Sequence, residues 1–197
     1  EPDDNDTAYT GGTIAVDGAD GEVKTLKMVS YDALGNKGDV GSATYTFDKA
    51  GPSAPAVSGT TPTSDPTPEW TWESGGGGIG TFRYQLDSEA GTWTETAATA
   101  YSPTTALSDG SHTLYVQERD DVGNWSASGS FAIVVDTTGP SAPTFDPPAG
   151  TYNSAQEVTP SLAGDAESSY YTVDGSEPDD TKTAYVSGTI AVDGADG

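Results

Sequence analysis

Two short stretches carry the oxygen-rich side chains that a hard cation would need. "DALGN" (Asp32 to Asn36) and "DDVGN" (Asp120 to Asn124) share one Asp-x-x-Gly-Asn pattern. Ca2+ takes about six to eight oxygen ligands, more than one such loop supplies. Asp48 and Asp136, each shortly before a Gly-Pro pair, would add a carboxylate from the same end of a folded module, and Asp121 would add another. The candidate calcium set is therefore Asp32, Asn36, Asp48, Asp120, Asp121, Asn124 and Asp136, placed at junctions between modules. The same pattern is also what a hairpin turn requires, because Asp accepts backbone N–H groups while Gly and Asn adopt positive φ. Both readings stand on the sequence. An Asp-x-Asp-x-Asp-Gly loop is missing, which excludes an EF-hand site.

Other chemistry lacks parts. His112 is the single histidine, and there is no cysteine, so thiolate metal sites, cysteine nucleophiles and disulfide scaffolds are excluded. Carboxylates abound, but glycoside hydrolysis needs two of them across a cleft. Residues 51–138 contain no lysine, which excludes a Lys–Asn isopeptide crosslink there. The chain carries 31 acidic and 7 basic side chains, a net charge of −24. Nucleic acid is excluded as a partner, since phosphate binding needs clustered Lys and Arg. That acidity serves solubility or invites divalent cations. No apolar run approaches the roughly 18 residues needed for a membrane-spanning helix.

The elements that must position these residues follow from internal repetition. "EPDDNDTAYTGGTIAVDGADG" (1–21) recurs as "EPDDTKTAYVSGTIAVDGADG" (177–197) with four differences, an offset of 176. "GPSAP" occurs at 51–55 and 139–143, an offset of 88, half of the first. The two Asp-x-x-Gly-Asn stretches share that offset, as do Phe47-Asp48 and Val135-Asp136. Fixed-period self-similarity decides an architecture before anything else does. We read the chain as a window on an array of alternating 88-residue modules: the C-terminal part of one at 1–50, a complete module at 51–138, and the N-terminal part of the next at 139–197. Residues 139–197 followed by 22–50 make a composite module, again of 88 residues.

Strand signals fill both module types. "EWTWE" alternates Trp70 and Trp72 with polar residues, "TFRYQLD" alternates Phe82, Tyr84 and Leu86, "HTLYVQER" points Leu114 and Val116 one way, and "SFAIVVD" does so with Phe131, Ile133 and Val135. Turn clusters ("SGGGGIG", "SEAG", "LSDGS") separate them. The expectation is an all-β chain of tandem immunoglobulin-like antiparallel sandwiches in an extended array, with Trp70 or Trp72, Tyr84, Leu114, Val116 and Ile133 in the core of 51–138.

"DGSHTLYVQERDDVGNWSASGSFAIVVDTTGPSAP" resembles the second half of a bacterial immunoglobulin-like repeat, a module strung in tandem in large surface adhesins. "YYTVDGSEPDDTKTAYVSGTIAVDG" (170–194) resembles the chitobiase/β-hexosaminidase C-terminal domain family, and "EVKTLKMVSYDALGNKG" fits that family's end. The first resemblance implies a non-enzymatic stalk, adhesin or filament-forming spacer, outside the cell or on its surface, with calcium known at similar junctions and neighbouring repeats as partners. The second implies an alternative, an accessory or carbohydrate-binding region of a secreted glycan-degrading enzyme, with host or matrix glycans or proteins as partners. Trp93, Trp125 and Tyr101 are the candidate exposed rings for that alternative. Tyr170, Tyr171, Asp174 and Gly175 read better as a core tyrosine and a tight Asp-Gly turn.

Overall fold

A computed structural model describes residues 6–193, so repeat positions 1–5 and 194–197 lie outside the described residues. The chain divides into two compact units, one ending at Thr137 and the other starting at Thr138. Every regular element among the described residues is a strand.

The first unit begins with an antiparallel hairpin of β1 (Val23–Met28) and β2 (Gly41–Thr46). Seven strands follow: β3 (Ala56–Gly59), β4 (Trp70–Glu73), β5 (Thr81–Leu86), β6 (Thr94–Thr96), β7 (Ala100–Tyr101), β8 (Gly110–Arg119) and β9 (Gly129–Val135). They form two sheets, ordered β3-β4-β7 and β6-β5-β8-β9. Strand alternation turns one side of each sheet inward, so Trp70, Trp72, Phe82, Leu114, Val116, Ile133 and Val135 pack into one buried cluster. Both tryptophans of "EWTWE" are buried, and Trp70 Nε1 donates to the Phe131 carbonyl at 3.0 Å, which satisfies its polar edge. Tyr84 is half-buried against the cluster, its ring tilted on Tyr101 at 4.6 Å between centroids.

The second unit holds β10 (Thr144–Asp146), β11 (Gln156–Ser161), β12 (Tyr170–Tyr171), β13 (Thr183–Ala184) and β14 (Ile190–Val192), in sheets β10-β11-β14 and β12-β13. Two of its three registers repeat those of the first unit at the 88-residue offset, while β11–β14 is shifted by one residue from β4–β7, Val158 facing Ile190 where Trp70 faces Tyr101. Val57 faces Trp72 as Phe145 faces Pro160, and Phe82 faces Thr96 as Tyr170 faces Ala184. The hairpin obeys the same rule: Leu26 faces Ala43 as Leu114 faces Phe131, and Lys24 faces Tyr45 as His112 faces Ile133. Sequence period and strand pairing therefore coincide in every pair compared except β11–β14.

Burial does not coincide. The seven-strand sandwich buries seven large apolar side chains, while the second unit buries only Ile190 among its described residues. Leu114→Ala, at a fully buried position, should lower the unfolding free energy by about 2–5 kcal/mol. Leu26→Ala, at the matching half-exposed hairpin position, should cost well under half of that. Urea unfolding of the two variants side by side checks the contrast.

Candidate functional site

The Asp-x-x-Gly-Asn loop between β8 and β9 is built around its own carboxylate. Asp120 Oδ1 accepts the N–H groups of Val122, Gly123 and Asn124 at 3.1, 2.7 and 2.8 Å, and Oδ2 accepts the Asn124 side-chain amide at 2.9 Å. Gly123 stands at φ +107°, where a side chain would be strained. The Asp32 loop repeats this, with Leu34 and Asn36 N–H groups on Oδ1 and the Asn36 amide on Oδ2. Burial works to raise the Asp120 pKa, but the hydrogen bonds from Asn124, Gly123 and Val122 outweigh it and hold the carboxyl below its ordinary value. For Asp32, the side chain and backbone of Asn36 do the same.

What the loop presents outward is the amide of Asn124. Besides binding Asp120, its Nδ2 donates to the carbonyls of Asp48 at 3.1 Å and Ala50 at 3.4 Å, in the segment that leads from the hairpin into the sandwich. Gly51 lies so close to the Trp125 carbonyl that a Cβ there would come within 2.2 Å of its oxygen. Ser53 N–H donates to the Gly76 carbonyl at 3.1 Å. The "GPSAP" segment is thus docked on the module rather than strung between modules. Sequence reasoning missed this docking. Gly51 and the glycine-rich loop were its only local signs, and neither says what approaches it.

The structure corrects one placement. Asp136 does not share an end of the sandwich with Asp120. It follows Val135, which faces Gly110 at the start of β8, whereas Asp120 follows the last residue of that ten-residue strand. The two lie roughly 30 Å apart by strand rise alone. Asp48 does reach the Asp120 loop, through its backbone carbonyl. Asp121 is exposed beside it. Among the described residues, no three acidic or histidine side chains converge into a metal-binding group.

A second correction concerns the aromatic rings. Trp93, Trp125 and Tyr101 are all half-buried rather than exposed. Arg83 lies over both Trp93, at 4.9 Å, and Trp125, at 4.3 Å, and Arg119 lies 5.6 Å from the Trp125 centroid. Arg83 Nε donates to Gln117 Oε1 at 2.7 Å, which fixes the guanidinium plane on the outer sheet face. Both ring systems are therefore committed to cation–π stacks. Tyr101 packs on Tyr84 and Trp70 in the core. In the second unit, Asp174 Oδ1 accepts the N–H and hydroxyl of Ser176 around Gly175 at φ +79°, a tight turn, while Tyr170 and Tyr171 pair with β13.

Two further polar anchors were not visible in sequence. Glu118 is buried, and its carboxylate accepts Ser74 Oγ at 2.6 Å and Gly80 N–H at 3.1 Å, which pins both ends of the glycine-rich loop. His112 Nδ1 meets Asp87 Oδ2 at 2.7 Å, and Nε2 meets the Ser108 carbonyl at 2.9 Å. Both partners only accept, so the doubly protonated ring satisfies both and the neutral ring forfeits one.

The fold and these contacts define a class: immunoglobulin-like β-sandwich modules of structural or accessory type. Residues 56–137 match the family model of the bacterial Ig-like domain, and residues 147–196 match that of the chitobiase/beta-hexosaminidase C-terminal domain. Both resemblances seen in the sequence are found. No curated protein matches the chain. Among solved structures, the FN1–FN3 domains of chicken CNTN1 align at 13% identity and a TM-score of 0.31, over 88% of this chain and 66% of that one, just under two thirds of its length.

The His112 clamp generates a pH prediction. Hydrogen bonding to Asp87 first, then to Ser108, raises the His112 pKa above its ordinary 6.5, against the opposing effect of burial. A raised folded-state pKa contributes stability that is fully present below about pH 6.5 and is lost as pH climbs through the folded value. The melting temperature of the wild type should accordingly fall from pH 6 to pH 8 relative to His112→Gln, as followed by calorimetry.

Proposed function

We propose that this chain is a non-enzymatic spacer from a tandem-repeat protein of the bacterial cell surface or its secreted filaments, in which each module is held stiffly to the segment before it. The observation that carries the reading is the docked junction: Asn124 grips two main-chain carbonyls of the incoming segment, and Gly51 admits that segment against the backbone of Trp125. Main-chain carbonyls are present whatever the neighbouring sequence, so such a grip suits a repeat that must follow different modules. The 88-residue coincidence of period and register supports an array. Bacterial Ig-like and chitobiase-type domains commonly occur in extracellular proteins, in keeping with this setting. The accessory glycan-binding alternative draws no support from Trp93 and Trp125, whose faces hold arginine.

The junction is closed by protein groups, and the Asp120 carboxylate is already occupied by N–H donors. Backbone 15N relaxation of the full chain should therefore show the hairpin and sandwich tumbling together, with or without EDTA. Asn124→Ala should separate their correlation times while costing the sandwich only about 0.5–1.5 kcal/mol. Independent tumbling in the wild type would sink the spacer reading. Loosening by EDTA alone would put calcium at the junction instead.

A further inference from the structure

Residues 51–138 carry eleven carboxylates and two fixed positive charges, Arg83 and Arg119. Cations so outnumbered are ordinarily paired. Among the described residues, neither arginine forms an ion pair. The carboxylates next to Arg119 are engaged elsewhere: Glu118 and Asp120 are buried, and they hold Ser74, Gly80 and the N–H groups of the Asp120 loop. Strand alternation puts Arg119 on the opposite, outer face of the sheet, with Gln117 and Arg83. Glu95 faces Arg83 across β5 and β6 without closing an ion pair.

The two cations are also gathered on one ring. Arg83 lies 4.3 Å and Arg119 5.6 Å from the Trp125 centroid. Like charges this close lie inside the screening length of about 10 Å and repel each other. Stacking holds each guanidinium by its flat face and leaves the N–H groups at its edge, the edge that takes a carboxylate bidentately. Those edges lack protein partners. Arg83 Nε donates to Gln117, but its terminal nitrogens make no hydrogen bond among the described residues. Arg119 Nε is buried with no partner. Burial pushes the Arg83 pKa down, and the charge of Glu95 opposes this only in part, so the positive form is under-compensated.

We propose that the guanidinium edges of Arg83 and Arg119 bind one carboxylate, carried by an acidic sugar of a surrounding polysaccharide. A planar oxyanion between the two groups removes their mutual repulsion and meets the forked donors that stacking leaves free. Densely charged polymers are disfavoured, because a net charge of −24 repels them, whereas an isolated carboxylate on an otherwise neutral glycan meets mainly the local field. The sheet face around the pair is polar, with Gln85, Gln117, Ser128 and Ser130, which suits a hydroxylated ring better than the apolar anchors by which peptides bind. Ser128 accepts Gln117 Nε2 at 3.0 Å and keeps its own hydroxyl hydrogen for a sugar oxygen. Recognition runs through arginine edges and needs neither tryptophan face. The inference goes beyond the spacer reading and does not depend on it, since binding is read within the sandwich.

The probe is methyl β-glucuronide, titrated into the 15N-labelled full chain, with neutral methyl β-glucoside as control. The Nε–H signals of Arg83 and Arg119 and the Trp125 indole signal should shift saturably with the glucuronide, at a Kd of about 1 mM, and stay in place with the glucoside. Arg119→Gln should weaken binding about tenfold, the effect of one charge-assisted hydrogen bond. Because this change also removes a stack on Trp125, Arg119→Lys is the second variant; it keeps the charge, loses the planar fork and should also bind more weakly than the wild type. Backbone amide signals of β8 and β9 distinguish lost binding from lost fold. Equal shifts with both glycosides would overturn the carboxylate as the group recognised. N-acetyl-aspartate amide binding as tightly as the glucuronide would overturn the sugar as its carrier. No saturable shift with the glucuronide, or wild-type affinity in both folded variants, would overturn the site.

Discussion

The contact on which the rest of the sandwich depends is the meeting of the β8–β9 inner face with the two tryptophans of β4. Leu114, Val116, Ile133 and Val135 come from strands that are adjacent in sequence and joined by one loop, whereas Trp70 and Trp72 arrive from the opposite sheet. Burial of apolar surface is the main favourable contribution to folding, and a module of this size with a third of its residues apolar has little of it to spare. Once that interface forms, Tyr84 and Tyr101 stack at its margin, and β3 and β7 are carried into place beside β4. The same interface explains the unevenness of the molecule. Where both faces are present they vanish from solvent, and where one is present alone its side chains remain half-exposed.

Polar chemistry in this protein is directed at holding backbone. Asp120 and Asp32 organise their loops, Glu118 fastens the glycine-rich loop, and Asn124 holds the entering segment. Each of these groups is turned to its own chain. Each also depends on the apolar contact, because a carboxylate can order a loop only when the strands flanking that loop are already fixed. The two arginines of the chain follow the same logic by stacking on Trp125, so that a strongly acidic surface still presents a packed outer face on the four-stranded sheet.

Much of this was legible in the residues. Alternation, the two-residue repeat of a strand, gave the inward faces of β4, β5, β8 and β9, and the 88-residue period matched every register compared except that of β11–β14, because a repeated sequence folds into a repeated pairing. The candidate site was legible only in part. The Asp-x-x-Gly-Asn pattern announced an ordered loop, because those residue types act on neighbours within four positions. It did not announce that Asn124 reaches a carbonyl 76 residues away, nor that Asp136 lies at the far end of the strand pair from Asp120. Trp93 and Trp125 looked available because nothing in a sequence shows that Arg83 will lie between them.

The duplicated segment separates the two kinds of determination. Tyr9 donates its hydroxyl to the Gly12 carbonyl at 2.7 Å, and its counterpart Tyr185 donates to Gly188 at 2.9 Å, across glycines at φ +100° and +93°. That local turn follows from the sequence alone, because every atom in it lies within four residues. Strand formation does not. Thr183–Ala184 and Ile190–Val192 are β13 and β14, and Ile190 is 9% exposed, while the same residues at positions 7–8 and 14–16 form no strand and Ile14 is 44% exposed. A strand needs hydrogen-bond partners on another chain segment, and β11 and β12 stand beside the second copy only. The sequence by itself determined the period, the turns and the inward faces; which copy becomes sheet was decided by the neighbours that tertiary structure supplied, because a backbone donor or acceptor in a strand is satisfied only from outside it.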